Sequence, residues 1–265
     1  MNKILFLILF VLLLLVGKGR GVKTFITFLI CMFFILLYII LMNLGCNAII
    51  TAFIICILAS IVSLFFLNGF NTKTLAAFIG VVIVQVITFI LIYVICKRAN
   101  VGCFAEESLE TIGGYYHGIG YNMVNVLIGV YLVSIVGTVI DTSISISSSM
   151  NEVLENNQKI KQKELYQSGM NIGGDILSTT INTLFFALIS GFIGFFMWHR
   201  NMSFEMIINY KLFVNELIGL FISFIGSILI IPITAFISSK VLISKKANKF
   251  IDKVRTVAAS AFDEE

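Results

Sequence analysis

Residues 137–182, GTVIDTSISISSSMNEVLENNQKIKQKELYQSGMNIGGDILSTTIN, decide how this chain is read. They begin and end inside membrane-length apolar runs. Yet Gly137, Asp141, Ser145, Ser148 and Glu152 recur at spacings of three and four, and so do Asn171, Asp175, Ser178 and Asn182. Such spacing gathers each set on one helical face. Carboxylates at membrane depth are costly unless they are paired, protonated or wet, so both stripes are expected to face protein or a water path and not hydrocarbon. The stretch predicts a helical hairpin with a charged connection and polar machinery on each arm.

The rest of the chain supplies the solvent for that hairpin. It has 265 residues, 59% hydrophobic and 12% charged, with one proline. Soluble domains carry about 25% charged residues, so this composition belongs in a bilayer. Apolar runs of about 17 to 25 residues cross the ~30 Å hydrocarbon core as helices. Runs at 24–42, 48–67, 75–96, 123–147, 176–197 and 213–237 predict six spans, and the apolar residues 4–16 predict a short seventh. Lys18, Arg20 and Lys23 follow that first run, where a secretory signal would carry a small-residue cleavage site, so it reads as an anchor. The expected fold is all-α: a polytopic transmembrane bundle of about seven helices over residues 1–240, with a basic tail over 241–265.

Lysine and arginine set the expected orientation. Alternate connections and the tail place 13 of them on one face and 5 on the other. The richer face is expected in the cytoplasm, which puts the N-terminus outside and the C-terminus inside. The net charge of +4 reflects this bias and the tail, which suits anionic headgroups. No basic surface interleaved with aromatics points to nucleic acid.

Several smaller features have plain readings. Small residues at Ala52, Cys56 and Ser60, at Ala76 and Gly80, and at Gly219, Ser223 and Gly226 let helices approach closely. Gln85, deep in an apolar run, needs a polar partner. The connection 97–121 holds Glu106, Glu107, Glu110, Tyr115, Tyr116 and His117, which a short solvated helix stopped by Gly113 and Gly114 accounts for. Five cysteines show no metal-ligand spacing, although Cys46, Cys96 and Cys103 fall near one face and leave a disulfide open. No metal, cofactor or catalytic set is expected.

Asp141 and Asp175 carry the chemistry. The fifth helix is expected to end near Asp141 to Glu152, so the dipole at that end and the membrane depth both disfavour the charged form, which marks Asp141 as the candidate for a carboxyl protonated part of the time. Asp175, near the start of the sixth helix, is expected to remain a carboxylate, stabilised by the free N–H groups and dipole of that end; the plain alternative is that Asp175 merely caps its helix and Asp141 accepts hydrogen bonds from Ser145 and Thr142. A hairpin centred near residue 158 sets Asp141 level with Asp175, Ser145 with Asn171, Thr138 with Ser178 and Ser134 with Asn182. The transport or proton-coupling candidates are therefore Asp141, Asp175, Ser145, Asn171, Ser178 and Asn182.

Four stretches are similar to the bacterial YibE/F-like membrane proteins: Gly17-Lys18-Gly19-Arg20-Gly21-Val22-Lys23; Asn68-Gly69 through Lys73-Thr74-Leu75-Ala76-Ala77; Asp141 through Ser147-Ser148-Ser149-Met150-Asn151-Glu152; and Ser168-Gly169-Met170-Asn171-Ile172 with Asp175, Thr179, Asn182 and Thr183. The length resembles the shorter, YibF-type member. The resemblance implies a multi-pass protein of the bacterial cytoplasmic membrane with a YibE-type partner or a homo-oligomer, and it assigns no reaction. More loosely, two polar-faced helices around a charged connection are similar to the membrane half of SecF-type proton-driven exporters, without their periplasmic domain.

The expected function is a transporter or export subunit, not an enzyme, coupled to protons or cations through intramembrane carboxylates. The alternatives are a scaffold subunit of a YibE-type complex and an intramembrane aspartyl protease. The protease reading is weakened by Ile172, which stands where that family's second motif carries its first glycine.

Overall fold

The computed structural model describes residues 2–98, 123–198 and 202–244. Its described residues form seven α-helices and no strand: α1 (Asn2–Asn43), α2 (Ala48–Ile61, continued by a π turn at Val62–Phe66), α3 (Thr72–Arg98), α4 (Met123–Asn156), α5 (Gln162–Trp198), α6 (Phe204–Ile208) and α7 (Lys211–Ile243). All but the five-residue α6 are long and apolar enough to cross a membrane.

The expected helices over 4–16 and 24–42 are the two arms of α1. The chain breaks at Lys18, with φ 46° and ψ −127°. Phe6 and Phe10 then lie 5.3 and 4.7 Å from the Phe25 ring, so the first arm doubles back along the second. A straight helix would separate Phe10 and Phe25 by about 22 Å. Gly21 permits the fold-back, because a Cβ there would collide with the Leu13 carbonyl.

α3, α4 and α7 pack on one another to form the core; α5 lies on α7 and α4, α2 on α4, and α1 on α2. Lipid is as apolar as leucine, so close packing and hydrogen bonds, not hydrophobicity, choose which faces meet. Val81, Val84, Ile128, Ile135, Ile146 and Ile230 fill the centre. Gly226 admits the Ile135 side chain, and the Tyr131 ring lies over Gly219. Hydroxyls join the helices: Ser147 donates to the Lys73 carbonyl at 2.7 Å and Ser143 to the Ala77 carbonyl at 3.0 Å. Gln85 has the partner it needs, its amide nitrogen donating to Ser60 at 2.9 Å.

Two helix ends depart from expectation. α4 runs on to Asn156 and α5 starts at Gln162, so the hairpin helices extend well past their apolar runs. Neither glycine nor proline occurs between Thr138 and Ser168, so nothing breaks either helix where hydrophobicity ends. Glu106, Glu107, Glu110, Tyr115, Tyr116, His117, Cys103, His199 and the tail beyond residue 244 lie outside the described residues.

Candidate functional site

α5 is held at two places. Near its start, Gly169 rests on Met150 and Ala235, and Gly173 rests on Ile231 and Ile146, with no room for a Cβ at Gly173. Near its end, Phe192 meets Phe213 at 5.2 Å and Phe195 meets Tyr210 at 4.8 Å. Between these clamps α5 stands off from α4 and leaves a polar cleft of about 400 Å³.

Thr138, Asp141, Thr142 and Ser145 of α4 and Thr179, Thr180 and Thr183 of α5 line this cleft. Four of these threonine hydroxyls spend their protons on their own helices: Thr138 on Ile135 O at 2.9 Å, Thr179 and Thr180 on Ile176 O at 2.8 and 2.9 Å, and Thr183 on Thr179 O at 2.8 Å. Each oxygen is left with lone pairs as its remaining polar capacity. With the Asp141 carboxylate these four oxygens make an acceptor surface, while the Thr142 and Ser145 hydroxyls of α4 remain able to donate. The chemistry of that surface suits a proton or a hard cation taken by oxygen.

A second cavity of about 400 Å³ adjoins the first, and Leu184 lines both. Its polar wall is Ser134, Asn215 and Glu216. Sequence reading passed over Glu216, although it is a carboxylate inside the 213–237 apolar run and was open to the same argument as Asp141. Tyr131 fixes the wall by donating to the Asn215 carbonyl at 3.0 Å.

Of the six sequence candidates, the cleft brings together Asp141 and Ser145 only. Asn171, Asp175, Ser178 and Asn182 lie outside it; they are exposed, as Asp141, Thr179 and Thr183 also are. At 100° per residue their stripe is turned about 120° from the stripe of Ile176, Thr179, Thr180 and Thr183. Asp141 therefore meets threonines about one turn further along α5 than the hairpin arithmetic set. Asp141 is mid-helix because α4 continues to Asn156, and Asp175 is well inside α5, whose first-turn acid is Glu164. A dipole acts within the first or last turn, so neither aspartate owes its state to one. Nor does Asp175 cap its helix.

Comparison with known proteins gives one relationship. The family described as YibE/F-like protein matches residues 5–244. The chain belongs to the YibE/F-like family. Neither the curated proteins nor the solved structures yielded a match. With six helices able to span and this membership, the YibE/F-like chain is a multi-pass integral membrane protein.

The stretches behind the resemblance have packing roles in this YibE/F-like protein. Lys18 and Gly21 shape the α1 fold-back, Gly69 takes φ +74° in the turn before α3, Ser147 ties α4 to α3, and Gly169 seats α5. The exposed face of α5 that carries Asp175 is different: Gly174 has nothing within 4 Å of where a Cβ would stand.

Proposed function

We propose that this protein is a transporter or a subunit of an export complex, coupled to a proton or cation that Asp141 takes up and releases. The observation that supports the reading is the cleft between α4 and α5: a carboxylate at mid-helix faces threonine oxygens whose protons are already committed elsewhere. Those four threonines give Asp141 no donor, which leaves the Thr142 and Ser145 hydroxyls of its own helix and whatever enters the cleft to balance the charge. Glu216 offers a second carboxylate beyond Leu184, which gives a two-station path along α5. In this reading the protein acts without enzymatic chemistry in the bacterial cytoplasmic membrane, with its lysine-rich face inward.

One observation favours a scaffold role beside this one. Ser178 and Asn182 are exposed within the 176–197 apolar run of α5, where lipid does not tolerate a polar face, and Asn171 and Asp175 continue that face just before the run, so a YibE-type partner or a second copy would cover it. An aspartyl protease draws less support, because its two aspartates must share a proton and Asp175 is not in the Asp141 cleft.

The test is complementation. Asp141→Asn keeps shape and removes the exchangeable charge. Inserted at the wild-type level, it should fail to restore whatever deletion of the gene removes. Full complementation would leave the scaffold role.

A further inference from the structure

At the end of the bundle where α1 folds back lies a polar cavity of about 1010 Å³, apart from the two cavities that flank α5. Its walls come from separate elements. The second arm of α1 gives Arg20 and Lys23, the turn before α3 gives Asn68 and Asn71, α3 gives Lys73, and α4 gives Ser148 and Glu152. Three cations against one carboxylate leave a formal charge of +2.

The rim is built before any ligand arrives. Thr74 donates to the Gly69 carbonyl at 2.9 Å, the Asn71 amide donates to the Asn68 carbonyl at 3.0 Å, and Lys73 Nζ is held on Ser148 Oγ at 3.3 Å. A guanidinium and two ammoniums around one space suit a phosphate group.

A second cavity says which kind. Phe70 lines the cationic cavity and also a separate groove of about 570 Å³ whose other walls are Ile61, Phe65, Leu75, Phe78 and Ile79. That groove has no polar residue, and Phe65 stacks on Phe70 at 5.0 Å to form the partition. A charged compartment and an apolar one thus meet across one ring, as the head and the chain of a phospholipid do. We propose that the cavity of Arg20, Lys23 and Lys73 binds the phosphate of an anionic phospholipid whose acyl chain lies in the groove beyond Phe70. Any lipid chain fills an apolar groove, so selectivity belongs to the cations. Glu152 adds an acceptor for headgroup hydroxyls.

The test is native mass spectrometry of the full chain in detergent, titrated with phosphatidylglycerol or with phosphatidylcholine of the same acyl chains. Phosphatidylglycerol should be retained more tightly. The double variant Arg20→Gln with Lys23→Gln, at exposed positions outside the core, should weaken its retention about 25-fold, at ~5-fold per charge near a surface. Replacing Lys159, Lys161 and Lys163 by Gln should leave retention unchanged. Phe70→Ser should weaken both lipids. Equal retention of the two lipids, an unaffected double variant, or an equal loss from the lysine control would overturn the proposal. So would inorganic phosphate that displaces the lipid at comparable concentration, because the cavity would then serve a free phosphate.

Discussion

Ser143 Oγ and Thr234 Oγ1 lie 3.0 Å apart where α4 crosses α7. Ser143 donates to the Ala77 carbonyl of α3, so the proton between the two hydroxyls comes from Thr234, and one serine links three helices. Both side chains are buried, and a Cβ on Gly80 would stand 2.7 Å from Thr234 Oγ1. The position of α4, and with it Asp141, depends on this contact.

Thr234→Val should therefore cost about 0.5–2 kcal/mol, the range of hydrogen bonds between membrane helices. Gly80→Ala should cost about 1–3 kcal/mol, because the core has no slack for the methyl group. Thermal unfolding of the purified full chain in one detergent measures both. A neutral Gly80→Ala would mean that α3 and α7 do not meet here.

Gln85 is satisfied at one end only. Its nitrogen donates to Ser60, while its Oε1 is buried with no hydrogen-bond partner. Ser60→Ala strands the whole amide and should cost about 1–3 kcal/mol, and adding Gln85→Leu should return much of that loss. A double variant no more stable than Ser60→Ala would argue against the pairing.

Gly173 and Gly174 are neighbours with opposite surroundings. Gly173→Ala pushes α5 off Ile231 and should destabilise by about 1–3 kcal/mol. Gly174→Ala meets open space and should be neutral or stabilising by up to ~1 kcal/mol through helix propensity. These values hold for the isolated chain. If Gly174→Ala is neutral there yet impairs complementation in cells, a partner covers that face of α5.

The spans and the tightly packed small residues were legible because membrane length and helical spacing leave direct marks in sequence. Ala52, Ser60, Gly80 and Gly226 are buried as their spacing implies. Helix ends were less legible, because hydrophobicity marks where lipid stops, whereas α4 continues to Asn156 through polar residues with no glycine or proline to break it. That error set Asp141 near a terminus, whereas it stands at mid-helix. Rotation was the harder part: Asp175 and Thr179 belong to adjoining polar stripes, and the sequence does not say which of them faces α4. Thr179, Thr180 and Thr183 were overlooked as site residues because threonine in a membrane helix reads as neutral until its hydroxyl proton is located.

Sidedness has its own check. Arg20, Lys23, Lys73 and Glu152 line one cavity, so the first and third connections share a face with the end of α4. A reporter fused after Glu265 should be cytoplasmic, and one inserted in the 97–121 connection should be outside. The reverse result would put the lysine-rich face, and the cavity of Arg20, Lys23 and Lys73, outside.

The most direct measurement is flux. Proteoliposomes holding the chain, with and without its YibE-type partner, are given an imposed pH gradient, and internal pH is followed with a trapped dye. The account predicts that gradient-driven proton movement occurs with the wild-type chain, is lost in Asp141→Asn, and is retained in Asp175→Asn when the latter inserts normally. Equal flux from wild type and Asp141→Asn, or from neither beyond empty vesicles with the partner present, would contradict it.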